Sequence, residues 1–398
     1  MLRSKLYLII AVLMCQMGCT AQKKEKTSEV KQETQSLIFQ KTHLWDVFIA
    51  EGVAVGDVNN DGEIDIMAGA YWFEAPKWLP HEIQPPKSYD YTKGYSDAFP
   101  SYAHDVNEDG WIDFIIFGFP GKSVNWYENP KGQDVHWEEH VIDTNACNES
   151  PFFGDFDDNG RMDLVFGNEE TGIMKWFEHT MNDGVVNWVS RDVSKPNSPG
   201  TPKYSHGLGM GDINRDGRND VIIREGWWEA PENKDELPWT FHETDLGQLC
   251  SQMYAYDFDK DGDNDVISAA AHNYGMWWHE QVKGESGESK FVHHLIDSTF
   301  SQTHALILKD MNMDGLPDLV TGKRYYAHQG KDPGGKEPAV LYWFELQRDE
   351  NNKPMWIRHL IDDNSGIGLN TVVEDMNGDG KLDIVIANKK GVFIFKQE

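Results

Sequence analysis

Cysteine is scarce in this sequence. Only four cysteines occur among 398 residues, and two of them, Cys15 and Cys19, lie within the first 20 positions. Cys147 and Cys250 remain, and their spacing does not decide whether they pair or stay as buried thiols. A chain of this length cannot rely on a single disulfide, so a hydrophobic core must hold it together.

Positive charge is also in short supply. The chain has 36 Lys and Arg against 66 Asp and Glu, which gives a formal net charge of −30. A surface this acidic repels the phosphates of DNA and RNA, so nucleic acid is excluded as a partner. The same excess of carboxylates predicts that bound cations offset part of the negative charge.

Long hydrophobic runs are confined to the N-terminus. A basic segment, MLRSK, precedes the apolar stretch LYLIIAVLM, which is too short to span a bilayer. This order is typical of an export signal. The next residues, CQMGCTAQ, resemble a bacterial lipoprotein processing site, which implies lipid modification of Cys19. The alternative is an ordinary secretory signal that is cleaved nearby.

The N-terminal pattern divides the chain into three parts. Residues 1–19 are assigned to a lipoprotein-type signal peptide, and residues 20–37, rich in Lys, Glu, Gln, Thr and Ser, to a flexible tether. Residues 38–398 form the folded domain. The expected location is the periplasm or the outer membrane, with the lipid as the contact with the membrane; without a lipid, the protein would be secreted.

Helical periodicity is hard to find, whereas one acidic motif recurs along the whole domain. The pattern D-x-[DN]-x-[DN]-G-x-x-D occurs seven times, beginning at Asp57, Asp105, Asp155, Asp212, Asp257, Asp310 and Asp375. Neighbouring copies begin 45–65 residues apart. A period of this size is the signature of a repeat architecture.

Each repeat predicts four strands. A strand of small residues such as GVAVG enters the acidic loop, a β-rich strand such as IDIMAG leaves it, and strands with W-aromatic-E and W-x-x-H motifs follow. The W-x-x-H histidines repeat with the blades, so we interpret them as structural. Seven such units predict an all-β, seven-bladed β-propeller of four-stranded blades. The last repeat lacks a fourth strand, which the N-terminal THLWDVFI can supply to close the ring.

The acidic loops suit Ca²⁺. Oxygen ligands at positions 1, 3, 5 and 9, a backbone carbonyl at position 7 and a glycine at position 6 match its preferences. No Glu occupies position 12, which excludes an EF-hand. We predict up to seven structural calcium ions, held by Asp57, Asn59, Asp61, Asp65, Asp105, Asn107, Asp109, Asp113, Asp155, Asp157, Asn159, Asp163, Asp212, Asn214, Asp216, Asp220, Asp257, Asp259, Asp261, Asp265, Asp310, Asn312, Asp314, Asp318, Asp375, Asn377, Asp379 and Asp383.

The loop and its following strand, as in GDVNNDGEIDIMAGA, resemble the FG-GAP or VCBS repeat of integrin α-chain propellers and of many bacterial secreted proteins. The resemblance covers roughly residues 42–398. It implies calcium-stabilised blades. It does not imply one function, because the same fold carries many.

Residues that differ from repeat to repeat predict where a ligand binds. Positions six residues before and after each loop lie at one open end of the channel, and their side chains vary between repeats. The sequence predicts a polar pocket there, with ligand contacts from Glu51, Tyr71, His104, Asn168, Glu169, His272, Lys323, Arg324, Asn370 and Lys389. The alternative is a solvated rim whose polar groups are satisfied by hydrogen bonds.

Three of the varying residues, Glu149, His206 and His304, are candidates for catalysis. Imidazole and carboxylate groups suit Zn²⁺ or Fe²⁺, and they also serve as acid and base. The sequence lacks G-x-S-x-G, H-E-x-x-H and phosphate-loop motifs.

Segments such as GAYWFEAP and NWYENP are similar, more loosely, to the propeller of aldos-2-ulose dehydratases. This resemblance implies dehydration of a keto-sugar in a metal-containing pocket. A base would remove a proton next to the sugar carbonyl while a cation stabilises the enediolate. No cupin-like extra domain is evident in the sequence.

The leading expectation is a calcium-stabilised, exported propeller that binds or processes carbohydrate at the bacterial cell envelope. One alternative is a metal-dependent keto-sugar dehydratase or lyase. The other is a protein–protein adhesion or scaffold module, as integrin propellers are. The sequence leaves open whether the protein is an enzyme.

Overall fold

A computed structural model of the chain describes residues 37–285 and 287–398. The predicted signal peptide, Cys19 and the predicted tether up to residue 36 lie outside these residues. Regular structure in the described part consists of 28 strands and one 3-10 turn, Ala327–Gly330. The all-β prediction is confirmed. No helix in this part is long and apolar enough to cross a bilayer.

The strands follow one another in groups that share one pattern. The first strand, β1, is Phe39–Trp45. The next twelve strands, β2–β13, are Ala54–Gly56, Asp65–Ala68, Tyr71–Glu74, Leu79–Glu82, Ser101–His104, Asp113–Phe117, Lys122–Glu128, Glu138–Ala146, Phe152–Gly154, Asp163–Asn168, Ile173–Asn182 and Val185–Asp192.

The second half of the chain continues this order. Strands β14–β28 are Leu208–Gly211, Asp220–Ile223, Gly226–Glu229, Thr240–Glu243, Gln252–Tyr256, Asp265–Ala269, Tyr274–Lys283, Ser289–Ser301, Leu306–Lys309, Asp318–Gly322, Leu341–Arg348, Pro354–Asp362, Thr371–Glu374, Asp383–Asn388 and Gly391–Gln397.

Within each group, strands that follow one another in the chain pair antiparallel. Each acidic loop therefore joins two paired strands. The described strands form five sheets, three with four strands and two with eight. Each larger sheet joins two four-stranded groups, through a contact between β9 and β11 and through the parallel pair β14–β18. Strands β26–β28 take their fourth partner from the other end of the chain, because β1 pairs antiparallel with β28.

Burial depends on the position of a strand in its group. The second strand is buried along its whole length, as in β7 and β27. A strand that is buried on both faces lies between two packed layers. Fourth strands such as β13 carry most of the exposed side chains. The sheets therefore bury their second strands against neighbouring sheets, with Trp176, Trp228 and Trp343 among the largest fully buried side chains.

Five groups contain the same Trp–His–Glu unit. His140 stacks on Trp126 with ring centroids 4.3 Å apart, and its Nε2 lies 3.0 Å from a carboxylate oxygen of Glu128. The other units are Trp72–His81–Glu74, Trp227–His242–Glu229, Trp278–His294–Glu280 and Trp343–His359–Glu345. Because the unit repeats with the sheets, packing accounts for these histidines.

Candidate metal centre

Each acidic loop is closed by its own side chains. In the first loop, Asp57 accepts hydrogen bonds from the backbone N–H groups of Asp61 and Gly62 at 3.0 and 2.9 Å. The first-position Asp makes this pair of bonds in every loop except the fifth. Backbone and side chains thus bring the acidic oxygens together within each turn.

The ninth-position Asp is the buried member of each loop. Asp113 accepts hydrogen bonds from the N–H groups of Val106 and Asn129 at 3.0 and 2.8 Å. Burial raises the pKa of the Asp113 carboxyl to about 7. This side chain therefore links the loop to the end of the third strand, a contact that the motif alone does not reveal. A bound cation would favour its charged form.

The third and fifth loops have oxygens that suit a hard cation. Side-chain oxygens lie within 4.8 Å of one another in two sets, Asp155–Asp157–Asp163 and Asp257–Asp259–Asp261. Asp157, Asp163 and Asp257 each keep one buried oxygen without a hydrogen-bond partner. Ca²⁺ would satisfy such oxygens. In the third loop, Lys234 would compete with a cation for Asp157, because its Nζ lies 2.7 Å from the other oxygen of Asp157.

Three histidines from different groups converge on one point. His206 precedes β14, His272 follows β19, and His304 precedes β22. One ring nitrogen from each lies within 4.8 Å of the other two, and the Nε2 atoms of His206 and His272 are 3.0 Å apart. The sequence analysis selected His206 and His304, with Glu149, as candidates for metal binding or acid–base catalysis, and His272 as a ligand contact. The structure brings the three histidines together.

Hydrogen bonds on the far side of each ring fix which nitrogen faces the shared point. His206 and His304 each donate Nδ1–H to the carbonyl oxygen two residues upstream, at 2.7 and 3.1 Å. His272 donates Nδ1–H to Asp332 Oδ2 at 3.1 Å. In these tautomers the Nε2 atoms carry lone pairs that a metal ion could bind; without a metal, the 3.0 Å contact between the Nε2 atoms of His206 and His272 is an N–H···N hydrogen bond. The Nε2 atom of His304 is buried and has no hydrogen-bond partner.

Burial keeps the imidazoles of His272 and His304 neutral. It lowers the pKa of His272 to about 4, and it holds the pKa of His304 well below its usual range. Neutral imidazole is the form that binds a metal ion, and the hydrogen bonds to a carboxylate or carbonyl are those that metal-bound histidines make. The cluster therefore fits Zn²⁺ or a similar transition metal with three nitrogen ligands and one open position.

A buried ion-pair network borders the histidines. Glu149 Oε2 lies 3.6 Å from His206 Nε2 and 3.2 Å from Arg324 Nη1. Arg324 also donates two hydrogen bonds to Glu51. Burial opposes ionisation of Glu149, but the adjacent Arg324 guanidinium favours the carboxylate, and the pKa of Glu149 is lowered. Glu149 is therefore an ionised carboxylate beside the three histidines.

The sequence analysis did not select His328 or Asp332. Both follow β23, in an insertion that makes the sixth repeat the longest. His328 Nδ1 lies 3.0 Å from Asp332 Oδ2, the oxygen that also bonds His272, and its ring stacks on that of His272 at 4.5 Å. The length of this insertion is the signal that could have identified the two residues, because long loops often carry function.

Aromatic side chains lie around the buried cluster. Tyr95 OH accepts a hydrogen bond from the backbone N–H of His328 at 3.0 Å, and Lys389 Nζ lies 3.9 Å from the centroid of the Tyr95 ring. Tyr91 and Tyr204 are 37% and 49% exposed. Solvent therefore reaches aromatic faces here, whereas His206 and His304 are buried.

Two of the predicted ligand residues bond the main chain. The Asn370 amide donates to the carbonyl oxygens of Val53 and Ser101 at 2.7 and 2.9 Å. Lys323 Nζ donates to the Glu337 carbonyl at 2.7 Å. Asn370 thus joins inner strands from three groups, a structural use of a side chain that we expected to bind ligand.

Other predicted ligand residues lie apart from the histidines. Tyr71 packs on Trp45, with ring centroids 5.7 Å apart. His104 ends β6 next to the second acidic loop, at the loop end of its strand. Asn168 donates to the Thr144 carbonyl at 2.8 Å.

Glu169 lies 3.9 Å from Lys203, the neighbour of Tyr204. Of the ten predicted ligand residues, the structure thus joins Glu51, Arg324, Lys389 and His272 in one network.

A cavity among the inner strands is separate from this network. It has a volume of about 650 Å³ and is lined by inner-strand residues that include Tyr102, Phe153 and Tyr254. None of the three histidines lines it. The chemistry-bearing groups therefore occupy a buried cluster, and the open cavity is mainly apolar.

Comparison with known proteins identifies the repeats. Residues 105–166 and 257–321 match the FG-GAP-like repeat, so that prediction is confirmed. The chain matches no curated protein in sequence.

Three solved structures illustrate the structural similarity. A lectin of Agrocybe aegerita that recognises non-reducing terminal N-acetylglucosamine is 15% identical, with a TM-score of 0.46 over 83% of this chain and 82% of the lectin. YCF48 from Cyanidioschyzon merolae is 11% identical, with a TM-score of 0.46 over 90% and 98% of the two chains.

A rhamnogalacturonan lyase of Bacillus licheniformis is 12% identical, with a TM-score of 0.40 over 91% and 74% of the two chains. Similarity at this level assigns no activity to the present chain. The chain therefore contains FG-GAP-like repeats at residues 105–166 and 257–321, within an all-β fold of antiparallel strand groups.

Proposed function

We propose that the protein is a metal-dependent enzyme that acts on carbohydrate, built on a calcium-stabilised propeller. The scaffold would be a ring of seven four-stranded blades, the last made of β26–β28 and β1. The pairing of β1 with β28 supports closure by the two ends of the chain. Export and lipid attachment at Cys19 remain part of the proposal on the grounds of the N-terminal sequence.

The observation that carries the proposal is the convergence of three imidazoles. Their lone pairs face one point, and the Nε2 atom of His304 is buried without a hydrogen-bond partner. Leaving a buried polar atom unpaired costs about 1–3 kcal/mol, whereas a metal ion would satisfy all three nitrogens at once. A purely structural cluster of neutral histidines would leave the Nε2 atom of His304 unpaired.

The neighbouring carboxylate indicates the kind of reaction. A transition metal bound here would polarise a substrate carbonyl. Glu149 takes the proton from the carbon next to that carbonyl, and the C–H electron pair forms a carbon–carbon double bond. The C–O bond at the following carbon breaks, and the departing oxygen leaves as water with the proton from Glu149. This sequence is a dehydration of a keto-sugar, and a uronate-type lyase would use the same proton abstraction.

Exposed tyrosines support carbohydrate as the substrate class. Sugar rings present C–H faces that pack on aromatic side chains, and Tyr91 and Tyr204 offer such faces near the cluster. The protein–protein alternative requires a broad exposed apolar patch. Binding of sugar without turnover would need the tyrosines but not the metal.

Metal analysis and two variants test the proposal. After exhaustive dialysis, the purified full chain is expected to retain about one equivalent of a transition metal, and His304→Gln to retain none. His140→Gln, which changes a Trp-stacked histidine, is the matched control and should keep the metal.

Turnover is tested separately with a panel of keto-sugars. The ultraviolet absorbance of a conjugated product reports elimination of water. Glu149→Gln should keep the metal and lose at least roughly a hundredfold in rate. A wild-type protein without transition metal, or a Glu149→Gln variant with full activity, would overturn the proposal.

A further inference from the structure

Next to the buried network of Glu51, Glu149 and Arg324 lies a buried lysine without an ion-pair partner. Lys389 is 4% exposed, and its ammonium donates one hydrogen bond, to the Tyr326 carbonyl at 3.3 Å. Among the ion pairs within 4.0 Å in the described residues, none includes Lys389. Fully buried lysines are rare unless they are paired, because the interior solvates an ammonium poorly.

Contacts connect this ammonium to the metal cluster. Lys389 Nζ lies 3.9 Å from the centroid of the Tyr95 ring, and the Arg324 guanidinium carbon lies 5.1 Å from the same centroid. Arg324 bonds Glu149, which lies beside His206. Lys389 therefore belongs to the network of side chains that contains Glu149.

The two cations of this network differ in what they bind. Arg324 has two carboxylate partners, Glu51 and Glu149. No carboxylate forms an ion pair with Lys389 among the described residues. An ammonium has three N–H donors, and the Tyr326 carbonyl accepts only one of them. Two N–H donors remain for a ligand.

We propose that Lys389 binds a carboxylate of the substrate, so that the protein acts on acidic sugars of the uronate class. The inference rests on the proposed carbohydrate site and names its substrate class. The Tyr95 ring holds the ammonium through a cation–π contact, and the substrate carboxylate completes the missing ion pair. Burial lowers the pKa of Lys389 to about 8, and a bound carboxylate would favour its charged form.

The test compares an acidic and a neutral sugar of the same shape. Glucuronate and glucose are titrated calorimetrically into the wild-type full chain, Lys389→Met and Lys390→Met. The wild type is expected to bind glucuronate roughly tenfold or more tightly than glucose. Lys389→Met should lose this preference and keep the affinity for glucose. Lys390, which contacts Tyr325, is the control, and its variant should keep the preference.

Two further proteins make the outcome decisive. Lys389→Arg keeps the charge and should retain the preference for glucuronate, which guards against a folding defect in Lys389→Met. His304→Gln should lose the metal but still prefer glucuronate, so failure of the metal proposal and failure of this one are distinguishable. Equal binding of the two sugars by the wild type, no binding of either at millimolar concentration, or an undiminished preference in Lys389→Met would overturn the inference.

Discussion

The two ends of the inner strands differ in how they use polar residues. At the loop end, the same acidic motif recurs seven times, and its side chains bond their own turns. At the other end, His206, His272 and His304, each from a different strand group, meet at a single point. Repeated polar groups thus stabilise each unit, whereas single polar groups from several units combine into one site. The predictions below test this division.

The largest effect is expected from removal of the strand that joins the two ends of the chain. Without residues 38–45, β28 has no outer partner and becomes an exposed edge. We expect loss of the cooperative thermal unfolding transition, followed by circular dichroism. Removal of residues 20–36 is the control and should leave the transition in place. An unchanged transition after loss of residues 38–45 would contradict ring closure.

Removal of calcium should destabilise the acidic loops and leave the histidine site unchanged. Without the cation, three or four carboxylates repel one another in each turn, so a calcium-selective chelator should lower the melting temperature by about 5 °C or more. The transition metal at the histidines should remain, as metal analysis can check. A melting temperature that is insensitive to the chelator would contradict calcium binding by the loops.

The third and fifth loops sharpen this test. Asp157 and Asp257 each keep one buried oxygen free, but the other oxygen of Asp157 is paired with Lys234. In calcium-saturated protein, Asp257→Asn should therefore lower the melting temperature more than Asp157→Asn. Equal shifts would indicate that Lys234 does not compete with the cation.

Substitution of a repeated histidine and of a single histidine should have opposite effects on stability and on metal content. His140→Ala removes a stack on Trp126 and a hydrogen bond to Glu128, and it should cost about 1 kcal/mol of unfolding free energy without loss of transition metal. Denaturant unfolding and metal analysis measure the two effects. Loss of metal in His140→Ala would remove the distinction between repeated and single histidines.

The smallest effect concerns the pH dependence of ligand binding. The pKa of Lys389 is lowered to about 8 by burial, so the free ammonium is charged below that pH and neutral above it. The preference for glucuronate over glucose should therefore be present at pH 7 and decline as the pH rises through 8 to 9. Calorimetry at several pH values measures it, and Lys389→Arg should show no such decline, since arginine stays charged.

The sequence predicts the repeated features well, because each copy confirms the next. Seven motifs at similar spacing indicated strands, loops and the all-β class. The single site was only partly predictable. Varying residues such as His206 and His304 stood out against the repeats, but so did His104, which lies at the loop end of β6. Asp332 was missed: the length of its insertion marks the segment, but the contact with His272 depends on the path that the insertion takes.

Cobalt substitution tests the central claim most directly. Co²⁺ added to metal-free full chain should bind at one site with the intense visible bands of a four-coordinate ion with nitrogen ligands. His206→Gln and His304→Gln should each abolish these bands, and His140→Gln should keep them. A spectrum of a six-coordinate, all-oxygen site, or bands that persist in both cluster variants, would contradict a transition-metal centre at the three histidines.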